Sequence, residues 1–428
     1  MAVDAGDTAW LLVSTALVLF MTLPGLAMFY GGLVRSAGVL SIFFQCFTIT
    51  CITSIIWVTV GYSLAFGHGG SLHWIIGNSN KMFMNGVSLD SFNDAAPTIP
   101  ESVFIMFQMT FAIITPSLIA GAYPERVKYE GVTVFSAVWL LLVYIPVTHW
   151  VWGGGWLADM GVMDFAGGIV VHCTAGWSAL VFAYLIGPRK GFELKDHSGL
   201  YPAHQPVMTL AGAAMLWVGW FGFNAGSAVC AGGSAGMAMF ATHASAAAAS
   251  LSWCYMQYVQ DGKPTSVGIV TGMVAGLAAV TPASGFINPL GGMYLGFIAG
   301  IVCERMTRVV KDRWGIDDSI DVFAVHGVGG MLGAFLVAFM AQPNLAHHAN
   351  PFSQGLGQPH IPYDIWGHVK VQSIGIISVS VYSVIASYGI YKLTEHTVGV
   401  RVTAEEETKG LDEASLGERA YRNLEKEW

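Results

Sequence analysis

The sequence predicts an all-α polytopic membrane protein with eleven transmembrane helices, two inverted five-helix repeats plus an eleventh helix, on three observations. Composition is the first: of 428 residues 54% are hydrophobic and only 11% charged, and the mean hydropathy is +0.57. Such a chain cannot supply the polar surface of a soluble globule. The second is a series of apolar windows of roughly 20 residues, the length an α-helix needs to cross the hydrocarbon. The third is a repeated motif. "DFAGGIVVHCTAGWSAL" and "DSIDVFAVHGVGGMLG" share the spacing D-x7-H-x3-G, with Asp164, His172 and Gly176 matched by Asp318, His326 and Gly330, each pair 154 positions apart.

The windows fall near 8–31, 40–66, 99–122, 131–150, 165–187, 205–228, 236–259, 265–281, 286–306, 322–341 and 366–392. The eighth is short and rich in Gly and Ala. The first is too long for a signal peptide, and its leader carries Asp4 and Asp7 rather than positive charge. With the N-terminus outside, 17 of the 19 Lys and Arg residues lie in inner loops or the tail, leaving Lys81 and Lys370 outside. The positive-inside rule therefore selects an outer N-terminus and a cytoplasmic C-terminus in a cell membrane.

The motif recurs in the fifth and tenth spans, so each half holds five helices. Consecutive halves with an odd number of spans face opposite ways, and sites in such folds lie between them. No linker divides residues 1–400, which read as one transport domain followed by a cytoplasmic tail, 401–428. That tail mixes acids and bases in "EEETKGLDEASLGERAY", which by composition reads as solvated and disordered. Most of the 52 glycines sit within spans, where small residues let helices approach closely. The six cysteines form no CxxC pair and read as small buried hydrophobes. The net charge of −8 gives no sign of nucleic-acid binding.

Two histidines at matched positions of a membrane repeat point to function, because ionisable groups in the hydrocarbon are costly. Zinc would want three or four ligands, and neither span supplies them; no metal, cofactor or enzymatic activity is expected. Asp164 opens a helix, where a carboxylate accepts unpaired backbone N–H groups and suits the helix dipole. Phe107 and Phe111 share a helix face. Trp150, Trp152 and Trp156 cluster at the outer end of the fourth span, and Trp220 and Phe223 lie on the sixth. Taken singly, the tryptophans read as an interfacial belt and the phenylalanines as lipid-facing or core packing.

Taken together, "LPGLAMFYGGLVR", "FQMTFAIITPSLIAGAYPER", "VWGGGWL", "DFAGGIVVHCTAGWSALVFAYLIGPR", "WFGFNAGS", "DDSIDVFAVHGVGGMLG" and "GLDEASLGERAY" resemble the ammonium transporter (Amt/Rh/Mep) family, and its prokaryotic Amt branch in particular. The resemblance implies a homotrimer with one pore per subunit, NH4+/NH3 as substrate and methylammonium accepted as well. It implies that Phe107, Trp152 and Ser227 recruit the cation, that Phe111 and Phe223 close the pore below, that His172 and His326 are its twin histidines, and that Asp164 lies under the vestibule. It also implies a tail that packs beneath the trimer and helps receive a nitrogen-regulatory PII protein, with Arg419 and Tyr421 expected to anchor that tail to the basic inner loops. The outer-loop histidines His68, His73, His347, His348 and His360 have no counterpart in those motifs. A neutral gas channel would be expected to lack Trp152. An ammonium sensor acting through a soluble partner remains a second reading.

Overall fold

The protein was analysed as a computed structural model, which describes residues 3–192, 203–346 and 364–421. Among them there is no strand, only isolated bridges at Asn93–Ala96 and Val127–Arg401. Among the described residues eight helical runs are long and apolar enough to cross a membrane: α1 (Ala5–Leu33), α2 (Ser36–Phe66), α3 (Glu101–Ala122), α4 (Tyr129–Asp159), α5 (Gly168–Ile186), α6 (Pro206–Ala225), α10 (Phe323–Met340) and α11 (Ile365–Thr397). Between α6 and α10 lie α7 (Gly233–Asp261), the shorter apolar α8 (Ser266–Val280) and α9 (Pro289–Arg308). Small residues dilute the apolarity of α7 and α9, as in "ATHASAAAAS" of α7. These residues suit close packing instead: a side chain at Gly292 or Gly296 of α9 would run into the backbone of Ala241 or Ser245 on α7.

The motif-bearing helices α5 and α10 cross at their glycines. Any side chain at Gly176 would meet the backbone of Gly327, and one at Gly330 would meet the Gly168 carbonyl, His172 Cβ and the Cys173 amide. Cys173 and Gly327 are themselves 154 positions apart. The contact is therefore reciprocal, as a two-fold axis between the helices would make it. The close crossing brings the two histidine-bearing turns face to face.

Ion pairs to the buried carboxylates of Glu125 and Asp317 join the loops at one end of the helices. Arg35 bonds Glu125 at 2.6 Å, and Arg189 bonds Asp317 at 2.9 Å. Arg189 also lies 3.8 Å from Glu125, as does Arg126 from Asp317. Burial pushes the Asp317 carboxyl up, but Arg189 and Arg126 outweigh it and hold it down at about 2.

The tail corrects the disordered reading that its composition suggested. Residues Ala404–Lys409 (α12) and Leu411–Leu416 (α13) are helical, and the segment leading to them is tied to the inner loop by Lys128 N–H donating to the Val400 carbonyl (2.8 Å) and Val402 N–H to that of Arg126 (3.0 Å). Asp412 then accepts from the Leu40 and Ser41 amides at 3.0 and 2.7 Å, capping the second span with a residue some 370 positions away. Composition missed this because the tail's acids find backbone N–H groups, and donors of that kind leave no mark in a sequence.

Candidate functional site

The site begins at Trp152, at the end of the helical part of α4 that precedes the glycines at 153–155. Its indole Nε1–H donates to the Asp164 carbonyl at 2.8 Å, which fixes the ring over the head of α5. Phe107 and Phe111 sit one turn apart on α3 with centroids 5.0 Å apart, and Phe111 meets Trp152 edge to face at 5.9 Å. Phe111 then stacks on Phe223 of α6 at 4.2 Å and 30°. Ser227, one turn beyond Phe223, donates its hydroxyl proton to the Phe223 carbonyl at 2.8 Å. All five side chains are buried, Trp152 the most exposed at 6%.

Beneath the stacked phenylalanines lies His172, whose ring is parallel to Phe223 within 21° at 6.0 Å and 5.5 Å from Trp220. The Trp220 indole donates to Thr281 Oγ1 at 3.0 Å, a partner that sequence reasoning did not single out. His172 Nδ1 and His326 Nδ1 face one another at 3.3 Å. Only one of two facing nitrogens can hold the proton between them, so the pair shares a single hydrogen bond when both rings are neutral. The other nitrogen of His172, Nε2, is buried with no hydrogen-bond partner, a polar atom turned into an otherwise apolar lane. Below His326 a cavity of about 330 Å³, lined by residues such as Tyr30, Trp253, Arg308, Lys311 and Asp321, leads on from the pair.

Asp164 holds the head of α5. Its Oδ1 accepts from the Gly167 and Gly168 amides at 3.0 and 2.6 Å, and its Oδ2 from Ile169 and Val170, both at 2.9 Å. Asp318 repeats the device on α10, accepting from the Phe323 amide at 2.7 Å, five positions on, as Asp164 does from Ile169. Among the described residues no group of three or more His, Cys, Asp or Glu is placed to hold a metal.

The model of the Ammonium Transporter Family matches residues 9–421. The chain belongs to the ammonium transporter family. It is 42% identical to an ammonium transporter of Aquifex aeolicus, covering 98% of this chain and 94% of that one, and 40% identical to one of Bacillus subtilis, covering 98% and 99%. A solved structure named "Sensor Amt Protein" superposes with a TM-score of 0.85 at 28% identity, covering 96% of this chain and 98% of that one. As a member of this family the protein is a multi-pass membrane protein whose function is ammonium transport.

Of the tail residues expected to anchor it, Tyr421 places its hydroxyl 3.2 Å from Nε2 of His204, whose Nδ1 lies 2.7 Å from the Val34 carbonyl. Arg419 bonds Glu413 of the tail itself at 2.6 Å. Sequence reasoning missed two further anchors: Asp412 on α2, and Glu407, which accepts from the Lys190 amide at 2.6 Å. Of the outer-loop histidines, His73 packs against His149 of α4 and His68 against His73. His347, His348 and His360 lie outside the described residues, as does the inner-loop Lys195.

Proposed function

We propose that the protein recruits NH4+ at an outer aromatic vestibule, deprotonates it and conducts NH3 through the twin-histidine lane into the cytoplasm, with the proton following by a separate relay that includes the histidines. The observation that carries this reading is the continuous column Trp152, Phe111, Phe223, His172, His326. Its upper part offers ring faces to a cation, its middle is closed by stacked hydrocarbon, and its lower part offers only neutral hydrogen-bonding nitrogen. Trp152 and Phe107 attract the ion by their quadrupoles, and the Ser227 oxygen accepts an N–H bond. A potassium ion of similar size cannot shed its charge and meets the full cost of entering the lane unhydrated. Ammonium sheds a proton and passes as a small neutral donor and acceptor; methylammonium can do the same.

The membrane body spans residues 1–400 with eleven crossings, α7, α8 and α9 joining the eight apolar runs. It is a homotrimer in the cell membrane, N-terminus outside and C-terminus in the cytoplasm. The tail couples subunits and offers a surface to a PII-type protein. Removing residues 401–428 is expected to lower ammonium flux while leaving the thermal unfolding of the membrane body in place, since no span is lost. Full flux in an inserted, truncated trimer would refute that coupling.

Recruitment is tested by Trp152→Leu in proteoliposomes. Loss of one good cation–π contact, roughly 0.5–2 kcal/mol, is expected to raise the half-saturating ammonium concentration by about 2- to 30-fold. An unchanged value would remove Trp152 from recruitment. A sensing role, which the structural neighbour's name makes the second reading, would instead give a trimer that binds ammonium but moves none across liposomes.

A further inference from the structure

The outer loop after α2 is strapped to the segment that carries Trp152. The Trp150 indole donates to the Ile75 carbonyl at 2.8 Å, and the Trp156 amide to that of Trp74 at 3.1 Å. The third tie is unlike these. His149, fully buried and three residues before Trp152, points both ring nitrogens at carbonyl oxygens: Nδ1 at Ala65, 2.8 Å, and Nε2 at His73, 2.5 Å. A carbonyl can only accept. A neutral imidazole carries one N–H and one lone pair, so it can make one of these bonds and must set its lone pair against the other oxygen; only the doubly protonated ring makes both.

Two further imidazoles lie beside it. His73 lies 5.1 Å from His149, centroid to centroid, and His68 lies 5.3 Å from His73. The three imidazoles run from exposed His68 through half-buried His73 to buried His149. The titratable groups beside His149 are His73, in ring contact with it, and His68, in ring contact with His73. The Nδ1 of His73 is buried without a hydrogen-bond partner. All three abut the turn after Trp152. The His149 carbonyl accepts from the Gly153 and Gly155 amides, both at 3.0 Å, and a side chain at Gly154 would come within 3.2 Å of His73 and 3.4 Å of His68.

We propose that His149, flanked by His73 and His68, is a positioning residue that clasps the outer loop to the Trp152 turn in its doubly protonated form, so that the affinity of the recruitment site falls as external pH rises. The proposal rests on the recruitment reading of Trp152. The sign follows from the bonds: below the ring's proton-loss point both carbonyls are held, and above it one is released and the turn loosens.

The test is ammonium uptake by proteoliposomes at fixed internal pH, with external pH varied from about 5 to about 8, the range in which histidines change charge. In the wild type the half-saturating concentration is expected to rise roughly fivefold across this range, the factor that one net hydrogen bond is worth, with the maximal rate little changed. His149→Gln should give a flat profile at the higher value. Replacing His68 and His73 together with Ala, which keeps the His73 carbonyl, removes the neighbouring like charges and should move the midpoint to higher pH. A flat wild-type profile, a wild-type slope in His149→Gln, or an unmoved midpoint in the double variant would overturn the clasp. Trp152→Leu separates the two ideas: if it leaves the half-saturating concentration unchanged at every pH, the recruitment reading fails; if it raises that concentration while the histidine variants keep the wild-type profile, the clasp alone fails.

Discussion

Replacing His172 with aspartate is expected to weaken the discrimination of ammonium from potassium by about tenfold or more, a change that needs only ~1.4 kcal/mol of preferential stabilisation of the cation in the lane. The native ring sits between Phe223 and His326, and its Nε2 has no partner. It therefore offers a passing molecule polarity without charge. A carboxylate at the same depth gives a bare cation the counter-charge that the native lane withholds, and its attraction acts where little water screens it. Potassium currents measured in proteoliposomes bearing His172→Asp check this. Complete rejection of potassium by that variant would move selectivity upward, to the Phe111–Phe223 stack or the vestibule above it.

Asp164→Ala is expected to lose more in folding than in selectivity. Its carboxylate accepts four backbone N–H groups at the buried head of α5. A capping bond is typically worth about 1 kcal/mol, and a buried donor stranded by truncation costs ~1–3 kcal/mol. The variant should thus lose several kcal/mol, even after water and local relaxation recover part of it. The bond from Trp152 runs to the backbone carbonyl of residue 164, so alanine retains the acceptor while loosening the segment that holds it. Thermal unfolding in detergent and the yield of assembled protein measure the loss. Wild-type stability together with abolished transport would contradict it and give Asp164 a direct part in handling the substrate.

Much of this was legible because membrane solvation constrains sequence so strongly. A helix in lipid must be long and apolar, so the windows could be read directly. The repeat of 154 positions announced the His172–His326 pair because costly residues in the hydrocarbon stand out against a plain background. What could not be read has one physical cause, the backbone as partner. Asp412 caps the start of α2, Glu407 holds the Lys190 amide, and His149 faces the carbonyls of Ala65 and His73. Every residue carries such donors and acceptors, so no pattern of side chains reveals which are used. The two helices that fall short of the apolar runs in composition, α7 and α9, show the complementary case: their small residues serve close packing on one another, and hydropathy alone understates them.

On the proposed reading a cation is recruited but only its deprotonated form passes the histidines. It is tested most directly by recording currents and uptake on reconstituted wild-type protein during alternating pulses of ammonium and potassium. Saturable ammonium uptake with no potassium current, in the same liposomes and at the same membrane potential, is the expected result. Potassium current comparable to the ammonium response would contradict the claim, because it would mean that an intact cation crosses the lane between Phe223 and His326.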